Sequence, residues 1–294
     1  DVRDLVVQQQ RVKSFGMKIS VIERALPIEN AKLGVDKEAV AQDIKCIQDL
    51  LEMMRVADVG ILCWNWMAGG DWSRTNFYEP GRGGCRFTSF DEALYKDTSI
   101  DDISEERLWQ SIDHFLKQVL PVAEKCNVKL AMHPDDPPIP KVLGMSRIMK
   151  NLKDFDRLMT QYPSPSNCIC FGQGTFAEMG IDIPQTIRDF GKKYPGKIVF
   201  VHFRDVIGDV NQGFFRETWQ DQGRTDMFEA MKAYVEIGFD GPMRVDHVPI
   251  LAGEENDAID QPKQLGGYTM LGRLFAVGYM KGIIECAVKL AKSK

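Results

Sequence analysis

Histidine is scarce in this chain, with four among 294 residues, and no Cys-x-x-Cys pair occurs among its seven cysteines. The second absence excludes structural zinc knuckles and thioredoxin-like redox chemistry. The odd cysteine count and irregular spacing do not make a small disulfide scaffold, so a reducing, cytoplasmic setting is expected. There is no block of Lys and Arg, and the formal net charge is −5, which argues against nucleic acid as the partner. No apolar run reaches about 18 residues and no signal-peptide pattern opens the chain, so no membrane role is expected. Nor does any Pro/Gly/Ser linker, composition shift or internal repeat divide it, and a single domain over residues 1–294 is expected. The chain opens directly in a charged, helix-like segment, Asp1-Val2-Arg3-Asp4, as if something preceded it.

With 44% hydrophobic and 27% charged residues, the composition is that of an ordinary globular protein. Short apolar runs at 18–22, 59–63, 128–133, 168–171, 197–202 and 243–246 read as buried parallel strands. Helical patterns lie between them, near 37–55, 104–126, 146–160, 184–193 and 225–237, with a long one at about 268–291. The second is the best marked: Leu108, Ile112, Phe115, Leu116, Val119 and Ala123 share a face, and Ser104 followed by Glu105 and Glu106 makes a helix start. Pro184 suits a first helical turn. Such alternation predicts an α/β fold, a (β/α)8 TIM barrel lacking or truncated in its first two strands, because only six strands are countable. Residues 66–103, rich in Gly, Asp and aromatics, read as a long loop reaching over a site.

Three of the four histidines stand at the ends of such runs: His133, His202 and His247. Cys170 and Asp246 close strands in the same way. The carboxyl ends of parallel strands are where barrels build active sites. A thiolate, two imidazoles and a carboxylate at His133, Cys170, His202 and Asp246 would suit Zn²⁺, Fe²⁺, Co²⁺ or Mn²⁺ and not Ca²⁺. Asp135 and Asp136 follow His133 in a proline-stiffened turn and can orient it or hold a substrate hydroxyl. Trp64-Asn65-Trp66 and Asp71-Trp72-Ser73-Arg74-Thr75 suit a polyol acid, with an aromatic wall, the Asn65 amide for hydroxyls and the Arg74 fork for a carboxylate. Strand alternation points Arg244 and Asp246 the same way, which sets an anion-holding guanidinium beside a ligand. His247 is then available for proton transfer, and Tyr268, after Gly266-Gly267, can bring a phenol inward. The plainer alternatives are satisfied polar ends, loop packing of the tryptophans, and an Arg204–Asp205 pair with no further role.

In these stretches the chain resembles the mannonate dehydratases, within the xylose-isomerase-like group of TIM barrels. The resemblance is carried by Ser20-Val21-Ile22-Glu23, Cys63-Trp64-Asn65-Trp66-Met67, Asp71-Trp72-Ser73-Arg74-Thr75, and Lys129 through His133-Pro134-Asp135-Asp136-Pro137-Pro138. It continues through Cys170-Phe171-Gly172, His202-Phe203-Arg204, Met243-Arg244-Val245-Asp246-His247 and Tyr268-Thr269-Met270-Leu271-Gly272-Arg273. The resemblance implies that His133, Cys170, His202 and Asp246 hold a divalent metal, Mn²⁺ or Fe²⁺. It also implies that Arg74 and Arg244 belong to the substrate site and that His247 and Tyr268 are the acid/base residues. Departures are Val245 for a usual Pro, Val248 for a usual Gly, Phe215-Arg216-Glu217 for Phe-His-Glu, and Cys170-Phe171-Gly172-Gln173 for Cys-Thr-Gly-Ser. A shifted alignment of that last turn would put Gly172 at the ligand position.

The expected function is a metal-dependent dehydration of a sugar acid, D-mannonate to 2-dehydro-3-deoxy-D-gluconate or a close analogue, by a hydro-lyase. Tyr268 or His247 would move the C2 proton, while Arg74, Arg244, Asn65 and Asp136 bind substrate. Expected partners are a small sugar acid and further copies of the chain. One rival is an isomerase or epimerase acting on a neutral ketose, which would leave the arginines idle. Another is an inactive sugar-binding relative, suggested by the histidine missing from Phe215-Arg216-Glu217.

Overall fold

A computed structural model describes residues 1–23, 26–70, 72–96, 102–254 and 267–293. Asp71 and Gly266 of the motifs above lie outside these residues. The described elements begin with α1 (Val2–Lys13), β1 (Val21–Glu23), α2 (Glu29–Leu33), α3 (Lys37–Ala57), β2 (Ile61–Trp64), β3 (Asn76–Pro80) and β4 (Arg86–Asp91). There follow α4 (Glu105–Cys126), β5 (Lys129–Met132), β6 (Lys141–Val142), β7 (Met145–Ser146), α5 (Leu152–Gln161), β8 (Asn167–Gly172), α6 (Gln173–Glu178) and α7 (Ile183–Lys193). Then come β9 (Ile198–Phe203), β10 (Val206–Asp209), β11 (Phe214–Glu217), α8 (Met227–Glu236), β12 (Met243–Val245) and α9 (Met270–Lys292). The chain divides into two compact units.

The first unit comprises Asp1–Asp71, Asp97–Asp135 and Ile139–Cys170. Its parallel strands run in the order β1-β2-β5-β8, with Cys63 level with Ala131 and Ala131 level with Cys168. The helix starting after Ser104 forms where its cap puts it, the Ser104 hydroxyl accepting from the Arg107 amide. All six residues of its expected stripe are buried. Against that stripe the Phe115 ring stacks on Trp64 at 5.4 Å and meets Trp66 at 5.1 Å, so both tryptophans are core residues of this unit. The expected aromatic wall is therefore corrected at these two positions: their apolar bulk fills the space between strand and helix.

The second unit comprises Trp72–Lys96, Asp136–Pro138 and Phe171–Lys294. The last residues of β8 enter it, and the parallel order continues β8-β9-β12, with Arg244 level with His202. A second, antiparallel sheet is ordered β10-β11-β4-β3. Residues 76–80 and 86–91 therefore do not belong to an open loop, as the sequence suggested; they form a hairpin whose inner strand pairs with Phe214–Arg216. Phe90 stacks on Phe215 at 5.6 Å beneath it, and that buried pair is what holds the hairpin down. The last helix lies against α8 and buries Ala276, Met280 and Ala287, while Met270, Leu271, Leu274 and Phe275 stay exposed.

All six expected strands form, each within two or three residues of its sequence limits. The helix expected from 146 starts only at Leu152, because Ser146 pairs in β7 and Asn151 is the N-cap.

Asp205, just past β9, is fully buried and ties down the turn before α8. It accepts from the Thr225 amide at 2.7 Å and the Thr225 hydroxyl at 2.8 Å. Burial outweighs these bonds and pushes its carboxyl up from 3.8 to about 6. A folded-state value above the unfolded one gives stability that is complete below about pH 4 and lost as pH rises through about 6. A rise of that size corresponds to about 3 kcal/mol. Thermal melts from pH 4 to 7 should therefore show a smaller decline for Asp205→Asn than for the unaltered chain.

Candidate functional site

The second unit gathers its charged residues around one guanidinium. Arg204 follows the apolar strand β9 and is 1% exposed. Its Nε donates to Asp246 at 2.7 Å, one terminal nitrogen to Glu178 at 2.9 Å and Glu217 at 3.0 Å, and the other to Asp136 at 2.8 Å and Thr175 at 3.0 Å. Glu178 and Thr175 come from α6, which can approach this closely only through Gly174. A Cβ there would stand 2.3 Å from an Arg204 nitrogen.

Arg74 enters the same cluster from the segment before β3. It donates to both Asp136 oxygens, to Glu217 at 2.6 Å and to Glu178 at 3.4 Å. Burial alone would raise Asp136, but Arg74 and Arg204 hold it far below the usual carboxylate range. Burial likewise acts upward on Glu217, and Arg204, His247 and Arg74 bring it down to about 2. Glu178 goes the other way. Burial and the adjacent Asp136 charge push it well above its ordinary value despite both arginines.

At the edge of this cluster stand the residues that can do chemistry. His247 is buried, with Nδ1 2.8 Å from Glu217 Oε1 and Nε2 3.1 Å from the Tyr268 hydroxyl. The Trp72 ring covers it at 4.8 Å. Tyr268 is half-buried, and its hydroxyl also lies 3.4 Å from Asp246. Arg244 sits 3.1 Å from Asp246 and keeps 30% of its side chain exposed. Burial would raise Asp246, yet His247, Arg244, His202 and Arg204 hold it well below its ordinary value. A fixed anion, a half-buried guanidinium and an imidazole–phenol pair can together bind an organic acid and move a proton on it.

The donor chemistry fits a divalent ion. In the second unit His202 Nδ1 and Asp246 Oδ2 are 3.7 Å apart, and Arg204 and Arg244 steady the carboxylate from behind. In the first unit His133 Nδ1 is 2.7 Å from the Pro134 carbonyl, which makes Nδ1 the protonated nitrogen and turns Nε2 outward as a donor. The Cys170 sulfur lies within 4.8 Å of that of Cys63, a neighbour the sequence reading did not consider. Nitrogen, carboxylate and thiolate donors match borderline first-row ions.

Of the residues expected from sequence, the second unit brings together Arg74, Asp136, His202, Arg244, Asp246, His247 and Tyr268. Arg74 and Asp136 are paired with each other and with further charges, their charged ends buried. Asn65, in the first unit, accepts on its side-chain oxygen from Lys32 at 3.3 Å and from the Met67 amide at 3.1 Å. Asp135, also there, accepts from the Ile148 and Met149 amides. Arg204 does not pair with Asp205; it is the centre of the cluster. Sequence reasoning missed Arg204, Glu178 and Glu217. The first and last stand in quoted motifs, whereas nothing near Glu178 marks it. Arg216, in place of the motif histidine, points out of β11, with a nitrogen 3.1 Å from the Pro80 carbonyl and its guanidinium over Phe87. In this chain the position faces away from His247, so the change takes nothing from the cluster.

The chain is similar to known proteins along nearly its whole length. The D-mannonate dehydratase (UxuA) family model matches residues 1–102 and 94–294. The mannonate dehydratase of Thermotoga petrophila is 28% identical over 99% of this chain and 87% of its own length. That of Streptococcus uberis is 30% identical over 97% and 86%. Among solved structures, the mannonate dehydratase from Streptococcus suis serotype 2 superposes with a TM-score of 0.87 at 26% identity, covering 99% of this chain and 84% of that one. An L-ribulose 3-epimerase, at TM-score 0.63 and 15% identity, shares the fold alone. The fold is thus the xylose-isomerase-like TIM-barrel class, with six parallel strands among the described residues, and the chain belongs to the D-mannonate dehydratase family of hydro-lyases.

Proposed function

We propose that this chain dehydrates D-mannonate, giving 2-dehydro-3-deoxy-D-gluconate and water. The observation that carries the reading is the imidazole–phenol pair His247–Tyr268 set beside Asp246 and the half-buried guanidinium of Arg244. Arg244 takes the substrate carboxylate, where a charge-assisted bond favours an acid over a neutral sugar. Tyr268 and His247 share the proton that leaves C2. The C2–H electron pair forms the C2=C3 bond, the C3 hydroxyl is protonated by the same pair and leaves as water, and the resulting enol becomes the ketone. Arg74 and Asp136 serve the site by holding Glu217 and Arg204 in place.

His202 and Asp246, 3.7 Å apart, are the residues of the second unit that would hold a divalent metal, Mn²⁺ or Fe²⁺. Such an ion supplies a Lewis acid for the negative charge that develops next to the carboxylate. Against the ketose epimerase alternative stands the guanidinium, which a neutral sugar would not use. We further propose that the chain self-associates through the exposed apolar face at the start of α9.

Assayed with Mn²⁺ against a panel of hexonates and neutral ketoses, the protein should release a 2-keto-3-deoxy acid from D-mannonate and leave the ketoses unchanged. His202→Ala should lose bound metal by elemental analysis and at least ~100-fold in activity with its circular dichroism retained, since even outer partners of a ligand cost 10–100-fold. Full turnover without metal would refute the scheme. Arg244→Met should raise KM for the acid about 10- to 100-fold, as expected for loss of a charged hydrogen bond. Light scattering should give a multiple of the 33.3 kDa chain mass, falling when Leu274 is changed to Glu.

A further inference from the structure

We infer that Glu217 is the positioning residue of the acid–base pair, holding His247 with its proton on Nδ1 so that Nε2 meets the phenol of Tyr268. This rests on the dehydratase reading for its kinetics but not for its geometry. Both imidazole nitrogens are engaged, one at 2.8 Å from Glu217 Oε1 and the other at 3.1 Å from the Tyr268 hydroxyl. An ionised carboxylate only accepts hydrogen bonds, so Nδ1 must donate to it, and Nε2 is the nitrogen turned to the phenol.

The carboxylate itself cannot turn away. Its Oε1 also takes a bond from Arg74 at 2.6 Å and its Oε2 one from Arg204 at 3.0 Å. The ring is confined as well. Trp72 covers one face at 4.8 Å, and the Gly267 backbone comes so close that a Cβ there would lie 2.9 Å from His247 Cβ. With His247 3% exposed, the half-buried Tyr268 hydroxyl beside Nε2 is the group among the described residues that can pass it a proton. Three elements distant in sequence therefore make one chain, Glu217 to His247 to Tyr268. The two arginines keep the Glu217 charge from taking the proton itself.

The tautomer can be read without substrate. In ¹⁵N-histidine-labelled protein loaded with diamagnetic Zn²⁺, the ring whose signals shift in Tyr268→Phe is His247, and it should be the Nδ1–H form. An Nε2–H form in the unaltered protein would overturn the proposal whether or not Glu217→Gln folds. Glu217→Gln, of the same size but uncharged, should lower kcat by about 10²- to 10³-fold, within the range of a misplaced acid–base group. KM should change less than about 3-fold, and metal content should hold. A variant that keeps kcat, or that loses metal and activity together, would overturn it. Absence of sugar-acid turnover in the unaltered protein would instead refute the dehydratase reading and leave the tautomer result standing.

Discussion

A guanidinium buried among carboxylates is the constraint around which the second unit is organised. Arg204 reaches Asp136, Glu178, Glu217 and Asp246, residues carried on a turn, a helix and two strands of different sheets. Taking one such charge out of water costs several kcal/mol, recovered only when every donor finds an acceptor in good geometry. The cluster meets that condition by setting opposite charges against each other. Arg74, Arg204 and Arg244 face Asp136, Glu217 and Asp246, while burial pushes Glu178 well above its ordinary value. Removing any one partner leaves an uncompensated charge, for which about 3–5 kcal/mol is typical.

The antiparallel sheet acquires its purpose from this balance. Arg74 enters just ahead of β3, and Glu217 closes β11, which pairs with the hairpin's inner strand. Phe90 on Phe215 fixes the two strands face to face. A slip of one residue would turn Glu217 outward and bring Arg216 in, setting a fourth cation against His247. The same alternation explains why the altered Phe215-Arg216-Glu217 motif leaves the charge cluster in place. The position that differs faces the Phe87 ring and solvent, and the position that is retained faces the imidazole.

The cluster and the reactive residues are in contact but are not the same thing. Arg74, Arg204, Asp136 and Glu178 are closed to solvent and rigidify. His247, Tyr268, Asp246 and Arg244 stand beside it, and of these Tyr268 and Arg244 are half-buried and not closed off. Preorganisation of this kind places charges before substrate binds, so no reorganisation is needed during the reaction.

Much of this was legible from residues alone. Continuous apolar runs located all six parallel strands, because a strand buried on both faces needs no partner to announce itself. The helix at Glu105–Cys126 was equally plain, since its cap and stripe are local. The strand-end positions of His202, Asp246 and His247, and the nearby Tyr268, were enough to nominate chemistry. The hairpin at 76–80 and 86–91 was not legible. Its strands carry polar residues at many positions, and its partner lies more than a hundred residues downstream. Nor were Glu178, Glu217 and Arg204 distinguishable from surface charges, and Trp64 and Trp66 looked like a ligand wall until Phe115 was found against them. Hydrophobic periodicity is written along the chain, whereas charge pairing exists only between segments. Sequence by itself therefore determined the strands and the reactive residue types, and tertiary structure alone decided which charges meet and which nitrogen of His247 carries the proton.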